Sequence, residues 1–153
     1  LSMNFVYRAL NSPLAEKVLR KAHGRLSPYL IPKSREGAIK MARVLKDGGH
    51  LAIMIDQKLN EGITIPFFGR PAKTTTALAA FALRHRCPII PARVERIAGA
   101  TFRVIFYPPI QLPNSGDTVR DTELIMLNAN QIIENWIRDT PSQWLWLHRR
   151  WGK

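Results

Sequence analysis

The sequence is short of cysteine, of acid and of long apolar runs, and each shortage excludes something. Its 153 residues include one cysteine, Cys87. An intramolecular disulfide is impossible, which removes the stapled secreted scaffolds. Arg86 and Pro88 flank Cys87, so it belongs to no metal-binding or redox pair and reads as a small buried hydrophobe. No stretch approaches the roughly 18–20 uncharged apolar residues of a membrane-spanning helix. The opening Leu1-Ser2-Met3-Asn4-Phe5 has neither the basic n-region nor the cleavage site of a secretory signal. It also lacks an initiator Met and runs straight into strand-like sequence, as a fragment of a longer protein would. Internal repeats, low-complexity segments, a Gly-x-Ser-x-Gly elbow, a Walker loop, a Rossmann fingerprint and zinc-ligand spacing are all missing.

The shortage of acid is as informative. Asp plus Glu number 11 against 23 Lys plus Arg, a net charge of +12. Residues 1–50 hold ten basic and three acidic side chains, residues 51–100 seven and three, and residues 101–153 six and five. The surplus therefore sits in the first two thirds, which points to an anionic partner: nucleic acid, anionic lipid headgroups or a phosphorylated substrate. Charge alone does not separate these from a solvated basic surface. Hydrophobic residues make up 46%, enough for a real core, and the length suits one domain.

Along the chain, Phe5-Val6-Tyr7 reads as a short strand. Ser12 is placed to cap a basic helix that starts at Pro13 and ends at Gly24. Pro28 and Pro32 break the next stretch. Ser34 caps a second helix over about residues 35–47, in which Ala38, Met41, Ala42 and Leu45 form one core-facing stripe. His50 to Ile55 is a near-continuous apolar run, the pattern of a strand covered on both faces. Ile63 to Gly69 is extended and ends in a turn, and Thr74-Thr75-Thr76 opens an Ala-rich helix to about Arg86. Pro88 to Val94 reads as a second buried strand, Thr101 to Tyr107 as a strand after the Gly99 turn, and Pro108 to Asp117 as a loop. Thr118 to Asp139 is a long helix with Ile125, Ala129, Ile132, Ile133 and Trp136 on one stripe. Strands alternating with helices predict one α/β domain, a largely parallel sheet with flanking helices.

Four places invite a chemical reading. Asp56-Gln57 follows a buried strand, and ligands of open α/β sheets bind beyond strand carboxyl ends; the same pair also suits an ordinary turn. Phe67-Phe68, between Pro66 and Pro71, needs the core, a lipid or an acyl chain to cover it. Thr74-Thr75-Thr76 at a helix start, beside Arg70 and Lys73, forms either an anion cradle or a simple cap. Trp144, Trp146 and Trp151, interleaved with His148, Arg149 and Arg150, suit a membrane interface, a nucleic-acid surface or a terminal element docked on the core. None of His23, His50, His85 and His148 has an acid five positions later. On spacing alone the chain shows binding chemistry and no complete catalytic set.

Taken together, the blocks become specific. Asn4-Phe5-Val6-Tyr7-Arg8-x-x-Asn11-x-Pro13, Asp56-Gln57, Pro66-Phe67-Phe68-Gly69-x-x-Ala72-x-Thr74, Asn130-x-x-x-Glu134 and Pro141-x-Gln143-Trp144-Leu145-Trp146-x-His148-Arg149-Arg150-Trp151 run in that order. The sequence resembles the bacterial lipid A biosynthesis acyltransferases, late lauroyl and myristoyl transferases of lipopolysaccharide assembly, over almost its whole length.

That resemblance implies a glycerolipid acyltransferase-like fold on the cytoplasmic face of the bacterial inner membrane. It implies transfer of a fatty acyl group from acyl carrier protein to a hydroxyl of a lipid A precursor, without metal or cofactor. The family's His-x-x-x-x-Asp/Glu pair lies upstream of the Tyr-Arg block, so this chain is expected to be the C-terminal part of such an enzyme, without that pair and without the membrane anchor. Substrate contacts carry over to Arg8, Asn11, Asp56, Gln57, Phe67, Phe68, Gly69 and Thr74, with Arg93 and Arg96 matched more loosely. Glu134, His148, Arg149 and Arg150 match the C-terminal signature. The acidic carrier protein, the anionic precursor and the anionic membrane surface would all suit the basic composition. Nucleic acid is not expected as a partner. A basic nucleic-acid-binding α/β domain and a catalytically inactive lipid- or carrier-binding fragment are the competing functions.

Overall fold

The structure, a computed structural model, describes residues 2–24, 29–147 and 149–151. Pro28 and His148 therefore lie outside the described residues. The chain divides into two compact units, Leu1–Met54 and Ile55–Lys153.

The first unit is a parallel sheet of β1 (Met3–Tyr7), β2 (Leu30–Pro32) and β3 (His50–Ile53) in the order β2-β1-β3. Helix α1 (Pro13–His23) links β1 to β2, and α2 (Arg35–Lys46) links β2 to β3. Both helices start where the sequence places their caps. The Ser12 hydroxyl accepts the Ala15 N–H at 3.4 Å and the Ser34 hydroxyl accepts that of Gly37 at 3.0 Å. Basic residues close both last turns, where the helix dipole favours them. Among the described residues of this unit, Val6, Leu30, Ile31 and Met41 are the buried apolar ones. The β3 run, read as covered on both faces, is an edge strand whose Leu51, Ala52 and Ile53 are half-buried.

The second unit is built differently. Strands β4 (Ile63–Phe67) and β5 (Arg70–Thr74) form an antiparallel hairpin, α3 spans Ala77–His85, and β6 (Ala92–Ala98) and β7 (Thr101–Phe106) form a second antiparallel hairpin. Helix α4 (Thr118–Asp139) is capped by Asp117, whose carboxylate accepts the N–H groups of Val119 and Arg120. Of its stripe, Ile125 and Ala129, joined by Met126, pack with Ile65, Ala79, Ala82, Ile89 and Ile110 in the main core, and Ile132 lies against them; Ile133 packs instead on the Phe67 cluster, and Trp136 stacks on Tyr107 at 5.0 Å. Small side chains at Ala79 and Ala82 let α3 approach closely.

Three expectations are corrected here. The sheet is parallel in its three-stranded part only; the other four strands pair antiparallel. Tight turns decide this, because a left-handed pair at Phe68 (φ 51°) and Gly69 (φ 71°) reverses the chain in two residues. Thr74 does not open a helix. It ends β5, fully buried, and the helix begins after Thr76. The strand read at Pro88–Val94 is displaced to Ala92–Ala98 and is largely exposed; Ile89 reaches the core through an isolated bridge to Ile110.

Candidate functional site

In the first unit, Arg8 directly follows β1 and Asn11 immediately precedes the cap Ser12, so both lie at the carboxyl end of a parallel strand, where open sheets bind ligands. Both are exposed. Their loop is held by residues that the sequence reading passed over. The Glu16 carboxylate accepts the Tyr7 hydroxyl proton, the Leu10 N–H at 3.0 Å and the Arg20 Nε–H at 3.0 Å. Arg20 also donates to the Tyr7 oxygen at 2.9 Å. The Tyr7 hydroxyl, then the Leu10 N–H, hold the Glu16 carboxyl below its ordinary range. Burial, then the hydrogen bond to Glu16, pushes Tyr7 up. Lys33 also joins this edge. Its N–H donates to the Tyr7 carbonyl at 2.8 Å just beyond the Tyr7–Pro32 pair, and its side chain is exposed. Only the parallel register brings Lys33 beside Arg8, so no local pattern announced it.

In the second unit, the β4–β5 hairpin is a hub. Phe67 is fully buried, with the rings of Phe68, Trp151 and Trp144 at 5.0, 5.6 and 5.8 Å. Offset and edge contacts of this kind add to simple burial. Asn130 and Glu134, one turn apart on α4, grip the backbone of the turn. Asn130 donates to the Pro66 carbonyl at 3.0 Å, and Glu134 accepts the Phe68 N–H at 2.8 Å. The other Glu134 oxygen accepts from Arg138 at 3.0 Å, and Arg138 stacks over the Phe68 ring at 4.7 Å.

The C-terminal segment completes the grip. Trp151 donates to the Phe67 carbonyl at 3.0 Å. Arg150, fully buried, donates to the Lys73 carbonyl and to the Thr74 hydroxyl, each at 2.8 Å, and its guanidinium lies 4.8 Å over Phe67. Burial lowers its pKa, and the charge of Asp56 opposes that shift. Trp144 donates to the Asp56 carboxylate at 3.3 Å. Asp56 and Gln57 are half-buried. Of the tail readings, docking on the core accounts for Trp144, Arg150 and Trp151.

The structure thus brings together Asp56, Phe67, Phe68, Gly69, Thr74, Glu134 and Arg150. Thr74 is no free anion cradle, since its hydroxyl serves Arg150. The side chains of Arg93 and Arg96 make their contacts with other residues, although the Arg96 backbone exchanges hydrogen bonds with the Gln143 side chain at 2.8 and 3.2 Å. Arg93 is paired with Glu95 at 3.2 Å and Asp139 at 3.4 Å and donates to Thr140 at 2.6 Å. Arg96 stacks over Phe102 at 5.4 Å. Arg149 is exposed. Among the described residues no three His, Cys, Asp or Glu side chains are grouped to hold a metal ion. Burial raises the Cys87 thiol above its ordinary range, away from a reactive thiolate.

Chemically, the hub offers a carboxylate, Asp56, beside a buried cation, and a turn whose shape is set by hydrogen bonds from two directions. The carboxyl edge of the sheet in the first unit carries two exposed cations, Arg8 and Lys33. The chain belongs to the family of bacterial lipid A biosynthesis acyltransferases, whose family model matches residues 2–153. No curated protein matches it. No described helix is long and apolar enough to cross a membrane.

Proposed function

We propose that this chain serves the transfer of a fatty acyl group from acyl carrier protein to a hydroxyl of a lipid A precursor at the cytoplasmic face of the bacterial inner membrane. The observation that carries the reading is the family match over residues 2–153. The convergence of four of the sequence blocks on the Phe67-Phe68-Gly69 hairpin supports it, because such a hub gives those residue types a shared physical task.

The reaction is an acyl transfer from a thioester. The acceptor hydroxyl oxygen forms a bond to the carbonyl carbon, the carbon–sulfur bond breaks, and the hydroxyl proton passes through a general base to the departing thiolate, which leaves as the thiol. No metal or cofactor is required. Arg8 offers paired donors to a precursor phosphate, with Asn11 and Lys33 beside it. Asp56 accepts a hydrogen bond from a substrate hydroxyl through the oxygen that Trp144 leaves free. Phe67, Thr74, Glu134 and Arg150 act indirectly, by fixing the hairpin. The base is a histidine of a His-x-x-x-x-Asp/Glu pair outside these 153 residues.

The test is transfer of a radiolabelled acyl group from acyl carrier protein to a phosphorylated lipid A precursor by the product of the complete reading frame that encodes the chain. Transfer that disappears on replacing the frame's motif histidine is the expected result. A frame without that motif, or a product that transfers nothing, overturns the proposal.

A further inference from the structure

The C-terminal segment has a second face that the hub does not use. Leu145, Trp146 and Leu147 are consecutive and exposed, at 64%, 54% and 91%. Loops are ordinarily polar, and three large apolar side chains in water are unfavourable without a partner. They are also held firmly. Trp144, just before them, packs on Phe67 and donates to Asp56, while Arg150 and Trp151, just after, are tied to Lys73, Thr74 and Phe67. The Trp146 ring stands edge-on to Trp144 at 4.6 Å, and its Nε1–H donates to the Pro141 carbonyl at 2.6 Å. The indole's one polar hydrogen is thereby satisfied, and the ring presents apolar surface.

We infer that Leu145, Trp146 and Leu147 form a finger that inserts into the interfacial layer of an anionic phospholipid bilayer. Charge argues for that occupant. Exposed cations lie at the same aromatic cluster: Arg149 in the segment itself, and Arg70 over Trp151 at 5.4 Å. Such a surface repels a second copy of itself and attracts anionic headgroups, while Trp and Leu suit the boundary between headgroup and acyl chain. The inference rests on the proposed function only in preferring a bilayer to other partners for this surface.

The test is sedimentation of the 153-residue chain with vesicles of phosphatidylglycerol and phosphatidylcholine, and with phosphatidylcholine alone. The chain should partition into the anionic vesicles and lose that binding progressively with salt. Leu145→Ser with Leu147→Ser should lower the partition coefficient at least tenfold with an unchanged thermal melt, since neither side chain is packed. Brominated lipid should quench the wild type and quench Trp146→Phe markedly less. Exposed apolar residues elsewhere supply the control: Leu14→Ser with Val18→Ser, on α1, should bind as wild type. Absent binding, a double variant that binds normally, loss caused by the α1 variant instead, or a finger that governs self-association or capture of an acidic protein without affecting vesicles would each overturn the inference. The vesicles contain no lipid A precursor, so their outcome is independent of the acyl-transfer assay.

Discussion

Glu134 on α4 accepts the backbone N–H of Phe68, a residue 66 positions earlier, at 2.8 Å. This bond fixes the first residue of the two-residue turn, where Phe68 adopts a left-handed conformation. Glu134→Ala leaves a partly buried N–H without an acceptor, which costs about 1–3 kcal/mol. Glu134→Gln retains an acceptor for Phe68 and should cost less than half as much, because the pair lost with Arg138 is solvent-exposed on the arginine side. Urea unfolding followed by tryptophan fluorescence measures both. Equal losses would show that the ion pair, and not the Phe68 bond, matters.

Arg150 offers a sharper substitution. Its two 2.8 Å bonds diverge to a carbonyl and a hydroxyl, a geometry that suits a planar guanidinium and not an ammonium. Arg150→Lys should therefore destabilise by about 3 kcal/mol, since it keeps a buried charge while losing a charge-assisted hydrogen bond and the stack on Phe67. Thr74→Val removes one of the same bonds and should be less than additive with Arg150→Lys. Full additivity in the double variant would show that the two residues do not act together.

Local features of this architecture were legible in the sequence, and long-range ones were not. Ser12, Ser34 and the α4 stripe were readable because caps and helical periodicity are set within a few residues. Strand β5 was hidden because its inward positions are Ala72 and Thr74 and its outward ones include Pro71 and Lys73, a weak alternation beside a Thr run that mimics a helix start. The residues of the hub were singled out, yet their task was not. Thr74 and Arg150, and Phe68 and Glu134, are far apart in sequence, and only folding shows that their polar atoms answer one another. Glu16 and Lys33 escaped notice for the same reason.

Two glycines separate backbone strain from steric conflict. A Cβ on Gly69 meets nothing within 4 Å, but φ is 71°. Gly69→Ala should therefore cost about 1–2 kcal/mol through conformation alone. A Cβ on Gly62 would lie 2.2 Å from the Thr74 carbonyl oxygen, and that backbone cannot swing aside as a side chain could. Gly62→Ala should destabilise more than Gly69→Ala and shift the amide resonances of Lys73 and Thr74. A Gly62 variant that melts like wild type would mean that the β5 end yields easily.

Acid should loosen the first unit through Glu16. Its carboxyl titrates below the ordinary value, first because of the Tyr7 hydroxyl and then because of the Leu10 N–H. A group with a depressed folded-state pKa contributes its stability above the unfolded value, about 4.3 for Glu, and loses it as pH falls through the folded value. Amide exchange across Met3–His23 should accelerate below about pH 4 in the wild type beyond the intrinsic trend. In Glu16→Gln protection should be weaker at neutral pH and nearly flat on acidification. Parallel profiles for the two proteins would assign the acid response to another group.

Arg8 separates binding from folding. It is exposed, and among the described residues it makes no ion pair, so Arg8→Ala should change stability by less than about 0.5 kcal/mol. In the acyl-transfer assay the same substitution should raise KM for a phosphorylated acceptor at least tenfold and leave kcat nearer the wild-type value, because a held phosphate contributes to ground-state and transition-state binding alike. Arg8→Lys should restore only part of the loss, as a point charge replaces a fork of two donors. With an acceptor that lacks the phosphate, the three proteins should behave alike. A persistent Arg8→Ala defect on that acceptor would move Arg8 from substrate recognition to maintenance of the β1 edge.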